Sequence, residues 1–303
     1  MKTKAVLVAA MFAVMVGAAA QAQGSLKLRY HFAAGDMRIY AVKATCYARW
    51  AWASGDRMDP VAPTAVLVHG TMAVRTAKVG RDGAAHQALQ RMAMTCTMKG
   101  QELRYSIDAG TARAVVNGET REWRTPKLDA EVFGCPLAST LDVRGRRRLM
   151  DGARLRIESY DGSLMHQSVP ILPPAAVSPG DHWSQEVVLP VEIIGRNLDL
   201  AMNYRWTLVG METYKGRHVA RISFDGAGKI SGDAGKGSFS AIERKCHGYE
   251  LFDYQAGQAL YHTEKVEQIA AGVRRRAPGR PPAEPMNITM TADTEIVLTR
   301  PGG

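Results

Sequence analysis

Apolar and polar residues alternate with a period of two along most of this chain, the signature of strands with one buried face. Leu26, Leu28, Tyr30 and Phe32 alternate with Lys27, Arg29 and His31. After Gly35-Asp36, the residues Tyr40, Val42, Ala44, Cys46, Ala48, Trp50 and Trp52 share one face, with Lys43, Thr45 and Arg49 on the other. Val66, Val68, Met72 and Val74 form the next stripe, and Met92, Met94, Cys96 and Met98 follow beyond the turn Gly80-Arg81-Asp82-Gly83. Glycine suits that turn because it tolerates the positive φ of a tight hairpin. Later, Leu200, Met202, Tyr204, Trp206 and Leu208 alternate with Asn203, Arg205 and Thr207. Ala220, Ile222 and Phe224 follow the Lys215-Gly216 turn, and the last stripe carries Ile288, Met290, Ile296 and Leu298. The best helical candidate, Ala153 to Val169, is interrupted by Asp161-Gly162.

These elements predict an all-β fold. Short turns and one wet face per strand argue for an antiparallel meander, arranged as a sandwich or a curled half-barrel. Pro170-Ile171-Leu172-Pro173-Pro174 breaks the pattern, because proline cannot donate into a sheet ladder. It divides the chain into a β-rich half over 23–169 and another over 170–303. The halves carry similar marks. Gly35-Asp36 precedes the strand of Tyr40, Pro179-Gly180-Asp181 precedes Trp183, and Val79-Gly80 matches Val209-Gly210. Duplication is one explanation; ordinary recurrence of glycine-acid turns is the other. A second proline-rich break runs from Arg276 to Pro285.

The N-terminus has a different pattern. Lys2 and Lys4 precede an uninterrupted apolar run from Ala5 to Ala19, followed by Ala20-Gln21-Ala22. The pattern predicts a secretory signal peptide over residues 1–22 rather than a membrane anchor. The run is shorter than the roughly 18–20 residues that span a bilayer, and no cysteine near the cleavage point could carry a lipid. Cleavage leaves 281 of the 303 residues. The expected location is the periplasm or the medium, and the expected mature chain has no transmembrane segment.

Export changes the meaning of charge and cysteine. The formal charge is +10, and +8 once Lys2 and Lys4 are removed. A basic protein favours anionic partners, and export ranks nucleic acid last among them. An envelope lipid, a polysaccharide or a protein remains. Arg144, Arg146, Arg147 and Arg148 form one basic run, and Arg274, Arg275, Arg276 and Arg280 the other. Contact with an anionic surface is one role for Arg146, Arg147, Arg148, Arg274, Arg275 and Arg276; a solvated loop is the more ordinary one. The cysteines Cys46, Cys96, Cys135 and Cys246 permit two disulfides in an oxidising compartment. The expected pairing is Cys46–Cys96 with Cys135–Cys246.

Three stretches carry a resemblance: LRYHFAAGDMRIY from Leu28 to Tyr40, VSPGDHW from Val177 to Trp183, and FDYQAGQAL from Phe252 to Leu260. Together they resemble a broad group of exported bacterial β-rich proteins known as a domain of unknown function. The resemblance implies a β-rich exported protein and brings no activity or site residue with it. A looser likeness, at the level of fold, is to the half-open barrels that carry lipoproteins in the periplasm.

Motifs for chemistry are sparse. His69 sits in a His-Gly-Thr segment, yet no G-x-S-x-G elbow accompanies it. Cys246 and His247 are adjacent, so a strand points them to opposite faces. Zinc, phosphate and calcium motifs are missing from the sequence, and no cofactor is expected. The aromatic and methionine stripes offer Tyr40, Trp50, Trp52, Met92 and Met94 as ligand-lining residues, although such stripes more often fill a core. The expected role is therefore non-catalytic: binding or carrying an apolar or anionic envelope ligand. A structural or protein-interaction module is one alternative, and a hydrolase with a loop-built site is another.

Overall fold

The computed structural model describes residues 24–54, 57–60, 64–98, 101–108, 111–116, 119–123, 137–149, 155–156, 170–193, 196–231, 239–274 and 284–300. Residues 1–22, expected as a signal peptide, and Cys135, Arg275, Arg276 and Arg280 lie outside the described residues, as does the helical candidate apart from Leu155–Arg156.

The described elements are strands. In chain order they are β1 (Met37–Ser54), β2 (Arg57–Pro60), β3 (Thr64–Val79), β4 (Ala85–Met98), β5 (Gln101–Asp108), β6 (Thr111–Val116), β7 (Glu119–Trp123) and β8 (Leu137–Leu141). Then follow β9 (Arg147–Leu149), β10 (Leu155–Arg156), β11 (His182–Ile193), β12 (Arg196–Tyr214), β13 (Arg217–Ser231), β14 (Phe239–Asp253), β15 (Gln258–Arg274) and β16 (Glu284–Arg300). All join one sheet, whose main path runs β10-β11-β12-β13-β14-β15-β16-β1-β3-β4-β5-β6-β7, while β2 pairs with β1 and β8 pairs with β4 and β9 off that path. Neighbours are antiparallel except the short parallel pairing of β10 with β11. The ladder has two ends and does not close into a barrel. The two halves meet where β1 pairs with β16, from Ile39↔Arg300 to Trp52↔Met286.

The alternation assigns the faces. Met202, Tyr204, Trp206 and Leu208 of β12 are buried, as are Ile222 and Phe224 of β13 and Val42, Ala44 and Cys46 of β1. The opposite face is wet. It carries the cross-strand pairs Lys229–Glu243 at 2.8 Å and Lys265–Asp293 at 3.8 Å, and it exposes His69. Opposite charges facing each other across a ladder suit a water-facing sheet surface.

Glycines on the buried face make room for the aromatics. A side chain at Gly226 would meet the Tyr204 ring, and one at Gly248 would meet the Thr263 carbonyl and the Phe224 ring. Phe224 consequently lies over Gly248, its cross-strand partner.

One segment departs from the strand expectation. Residues 26–32 alternate as a strand does, but they do not join the ladder as one. They form a strap over the buried face, attached by the Leu26–Val177 bridge and by Tyr30 N–H to Val143 O and His31 N–H to Gly257 O. Leu28 and Tyr30 point inward and pack with Leu172, Trp206 and Phe252. The proline connector joins this layer. Pro170 through Pro173 are buried. Their carbonyls are met by side chains: Tyr30 Oη reaches Pro170 O, Trp183 Nε1 reaches Ile171 O, Arg144 Nε reaches Leu172 O and Arg29 reaches Pro173 O. Those bonds allow an irregular segment to be buried.

The glycine-acid turns noted in the two halves make the same clasp. Gly35 N–H bonds Thr76 O, and Thr76 N–H bonds Asp36 O. Gly180 N–H bonds Leu208 O, and Leu208 N–H bonds Asp181 O. In each half a bulge follows the clasped residue, between Thr76 and Lys78 and between Leu208 and Gly210.

The disulfide expectation fails on register. Cys46 faces Val66 of β3, and Cys96 faces Val68 from the far side of β3. Two strand spacings of about 4.8 Å separate their backbones, whereas a disulfide needs Cα atoms within about 7 Å. Cys246 is a buried free thiol, so it is not joined to Cys135 either.

Candidate functional site

The buried face carries charge where a core would be apolar. Glu250 of β14 faces His262 of β15 directly, and Glu264 of β15 lies between Gly248 and Thr294. Arg244 of β14 projects from the same face. His262 is 2% exposed and Glu250 is wholly buried. His262 Nδ1 stands 3.5 Å from Glu250 Oε2, and Arg244 Nη2 stands 4.0 Å from Glu264 Oε2. Neither imidazole nitrogen and neither Glu250 oxygen has a hydrogen-bond partner.

Burial dominates the ionisation of this group. It pulls His262 from the ordinary 6.5 down to about 4. It pushes Glu250 well above the usual carboxylate range, with no neighbouring charge to offset it. Glu264 is also raised by burial, and Arg244 and Cys246 oppose part of that shift. Desolvation penalises the charged form of each group, so burial favours a neutral acid beside a neutral imidazole over an ion pair. Cys246 is raised by burial first and by Glu264 second, which makes it an inert thiol rather than a nucleophile. Phe224 stacks on His262 with ring centroids 5.5 Å apart and closes the cluster on one side.

The cluster borders a cavity of about 40 Å³ under the strap. Tyr30 and Phe32 of the strap, Arg38 and Tyr40 of β1, Gln87 of β4, Arg147 of β9 and His262 supply its polar and aromatic wall. Met72, Val74, Leu141, Ala259, Leu260 and Ile296 supply the apolar remainder, and Tyr261 adds a further ring. The two arginines differ. Arg38 is compensated: its Nε bonds Asp36 at 3.0 Å, its Nη2 bonds His31 O at 2.8 Å, and both side chains of the pair are buried. Arg147 has a buried Nε without a hydrogen-bond partner. Burial pulls its guanidinium below the ordinary value, and the groups that oppose this are the hydroxyls of Tyr30 and Tyr40.

The sequence candidates are distributed as follows. Tyr40 is half-buried and lines the cavity. Trp50 and Trp52 belong to β1 and Met92 and Met94 to β4, but their side chains lie outside the described residues. Arg146 and Arg148 are exposed, whereas Arg147 between them turns into the cavity, as strand alternation requires. Arg274 ends β15 opposite Glu284. No sequence motif marks Arg38, Arg244, Glu250, His262 and Glu264 as a group. A signal was present: His262 and Glu264 alternate in phase with Leu260 and Val266, which places two ionisable groups on the apolar stripe.

Activation of a nucleophile requires a base hydrogen-bonded to the group it deprotonates, and His262 bonds no hydroxyl. Among the described residues no group of three or more His, Cys, Asp or Glu could hold a metal ion. The geometry defines a class: a single-sheet all-β protein with a buried cluster of ionisable side chains and a small amphipathic cavity on its covered face. No family model and no curated protein matches the chain. Among solved structures, Pseudomonas aeruginosa OpdQ is similar over 87% of this chain and 99% of its own, at 8% identity and a TM-score of 0.19. Pseudomonas aeruginosa OccK2 (OpdF) is similar over 87% and 98%, at 9% identity and a TM-score of 0.18. Likeness at that level carries no argument about fold or function.

Proposed function

We propose that this is an exported envelope protein with a non-catalytic binding or carrier role, taking its ligand at the cavity between the strap and the sheet. The observation that carries the reading is the wall of that cavity, where His262 and Arg147 present polar atoms without partners beside apolar side chains. A protein stabilised only for its own sake gains nothing from such groups, since each unsatisfied buried polar atom costs about 1–3 kcal/mol. A ligand with a polar end and an apolar body recovers that cost. The exposed face supports a water-borne protein, because it bears ion pairs where a lipid-facing strand bears an apolar band. The basic balance favours an envelope ligand that is itself anionic or borne on an anionic surface.

Native mass spectrometry of the protein purified without detergent from its own envelope fraction tests the reading. A bound small molecule at one per chain, extractable into organic solvent, is the expected result. A ligand-free chain that recovers only a protein partner would favour the interaction module instead.

A further inference from the structure

We propose that the cavity is a receptor for one oxyanion, a carboxylate or a phosphate, with Arg147 as the group that binds it. This deepens the preceding reading and rests on it. Arg147 sits on β9 with its neighbours Arg146 and Arg148 exposed, so alternation directs this one guanidinium inward. No carboxylate among the described residues forms an ion pair with it, and its buried Nε lacks an acceptor. Asp36 is engaged by Arg38. Glu250 is shifted by burial alone and has no charge contribution from Arg147. Among the described residues the cavity therefore presents a half-buried guanidinium with no carboxylate paired to it, and an anion at the cavity would supply the acceptor that its buried Nε lacks.

The remaining wall suits that anion. Tyr40 and Gln87 border the cavity beside Arg147, and His262, kept neutral by burial, has a ring nitrogen to donate. A guanidinium fork matches a carboxylate or phosphate in two parallel hydrogen bonds. The volume of about 40 Å³ compares with roughly 10–15 Å³ for one water on the same measure. It accommodates the head of an anion, and the apolar residues Met72, Val74, Leu260 and Ile296 lie where a short aliphatic segment would begin. The same chemistry is offered by a free anion and by the head of an envelope amphiphile.

Calorimetric titration of the purified protein with acetate, inorganic phosphate, decanoate and decyl phosphate tests the proposal and separates the two sources. One-to-one binding of at least one probe is expected. Tighter binding of the decyl compounds than of acetate and phosphate assigns the site to an amphiphile, and equal binding assigns it to the free anion. Arg147→Met should weaken binding by about 30-fold or more, the scale of losing a charge-assisted pair. Arg147→Lys should retain part of it, and Arg148→Met should stay within about twofold of the wild type. Arg147→Met should also melt no lower than the wild type, because it removes a half-buried guanidinium whose buried Nε lacks an acceptor; if it fails to fold, the Arg147→Lys and Arg148→Met comparison stands alone. Absence of binding by all four probes, or equal binding by wild type, Arg147→Met and Arg147→Lys, overturns the proposal. A neutral ligand recovered from the native protein alongside four silent anions would remove the oxyanion assignment and leave the binding role intact.

Discussion

His262 provides a direct test of whether the buried cluster is dry. Its imidazole is pulled from 6.5 to about 4 by burial. The folded value lies below the unfolded one, so the stability that depends on neutral His262 is complete above pH 6.5 and is lost as pH falls toward 4. Between pH 8 and pH 5 the unfolded chain takes up a proton on this residue and the folded chain takes up almost none. Linkage converts that difference to about 2 kcal/mol, or about thirtyfold in the folding constant. Glu250 titrates with the opposite sign: its folded value is raised, so its contribution is complete below the ordinary 4.5 and is lost as pH rises through the folded value. That contribution is common to wild type and His262→Gln, and to first order it cancels between them. Urea unfolding at pH 8, 7, 6 and 5 should show wild type losing about 2 kcal/mol more than His262→Gln across the range. A difference below about 0.5 kcal/mol would mean that the native imidazole is solvated or charged, and the reading of a desolvated cluster would be wrong.

Other expectations follow from single contacts. Gly248→Ala places a methyl against the Thr263 carbonyl of the neighbouring strand and the Phe224 ring. Backbone cannot yield as a flexible side chain does, so a loss of about 1–3 kcal/mol in urea unfolding is expected, and an unchanged midpoint would contradict the close approach. Cys246 should resist a thiol reagent in the native protein and react fully in urea, because it is buried and its ionisation is suppressed. Fast native labelling would show that the face opens. Lys229→Ala should leave the urea midpoint unchanged, since Lys229 and Glu243 pair in full contact with water. Tyr30→Phe should lower stability by about 1 kcal/mol through loss of the bond to Pro170 O, and a neutral result would show that the strap is held by its apolar side chains alone.

Much of this molecule was legible before any coordinates. Period-two alternation is a local property, because a strand turns each successive side chain to the opposite face. It assigned Met202 through Leu208, Ile222, Phe224 and Val42 through Cys46 to the buried side, and placed His69 on the wet one. Turn glycines were readable for the same reason: Gly35, Gly83, Gly180 and Gly216 take positive φ, which local sterics reserve largely for glycine. What alternation cannot specify is which strand lies beside which. Cys46 and Cys96 had the right phase to meet, and β3 separates them. Residues 26–32 had the right phase for a strand, and the partners that hold them are loop carbonyls from Val143, Val177 and Gly257. Arg147 belonged to a basic run that read as surface, and only the position of β9 beside β8 and under the strap turns its guanidinium into a cavity. The sequence by itself determined strands, faces and turns, since these depend on neighbours along the chain. The tertiary structure alone decided the disulfide question, the strap and the cavity, because each depends on groups brought together across the sheet from distant parts of the chain.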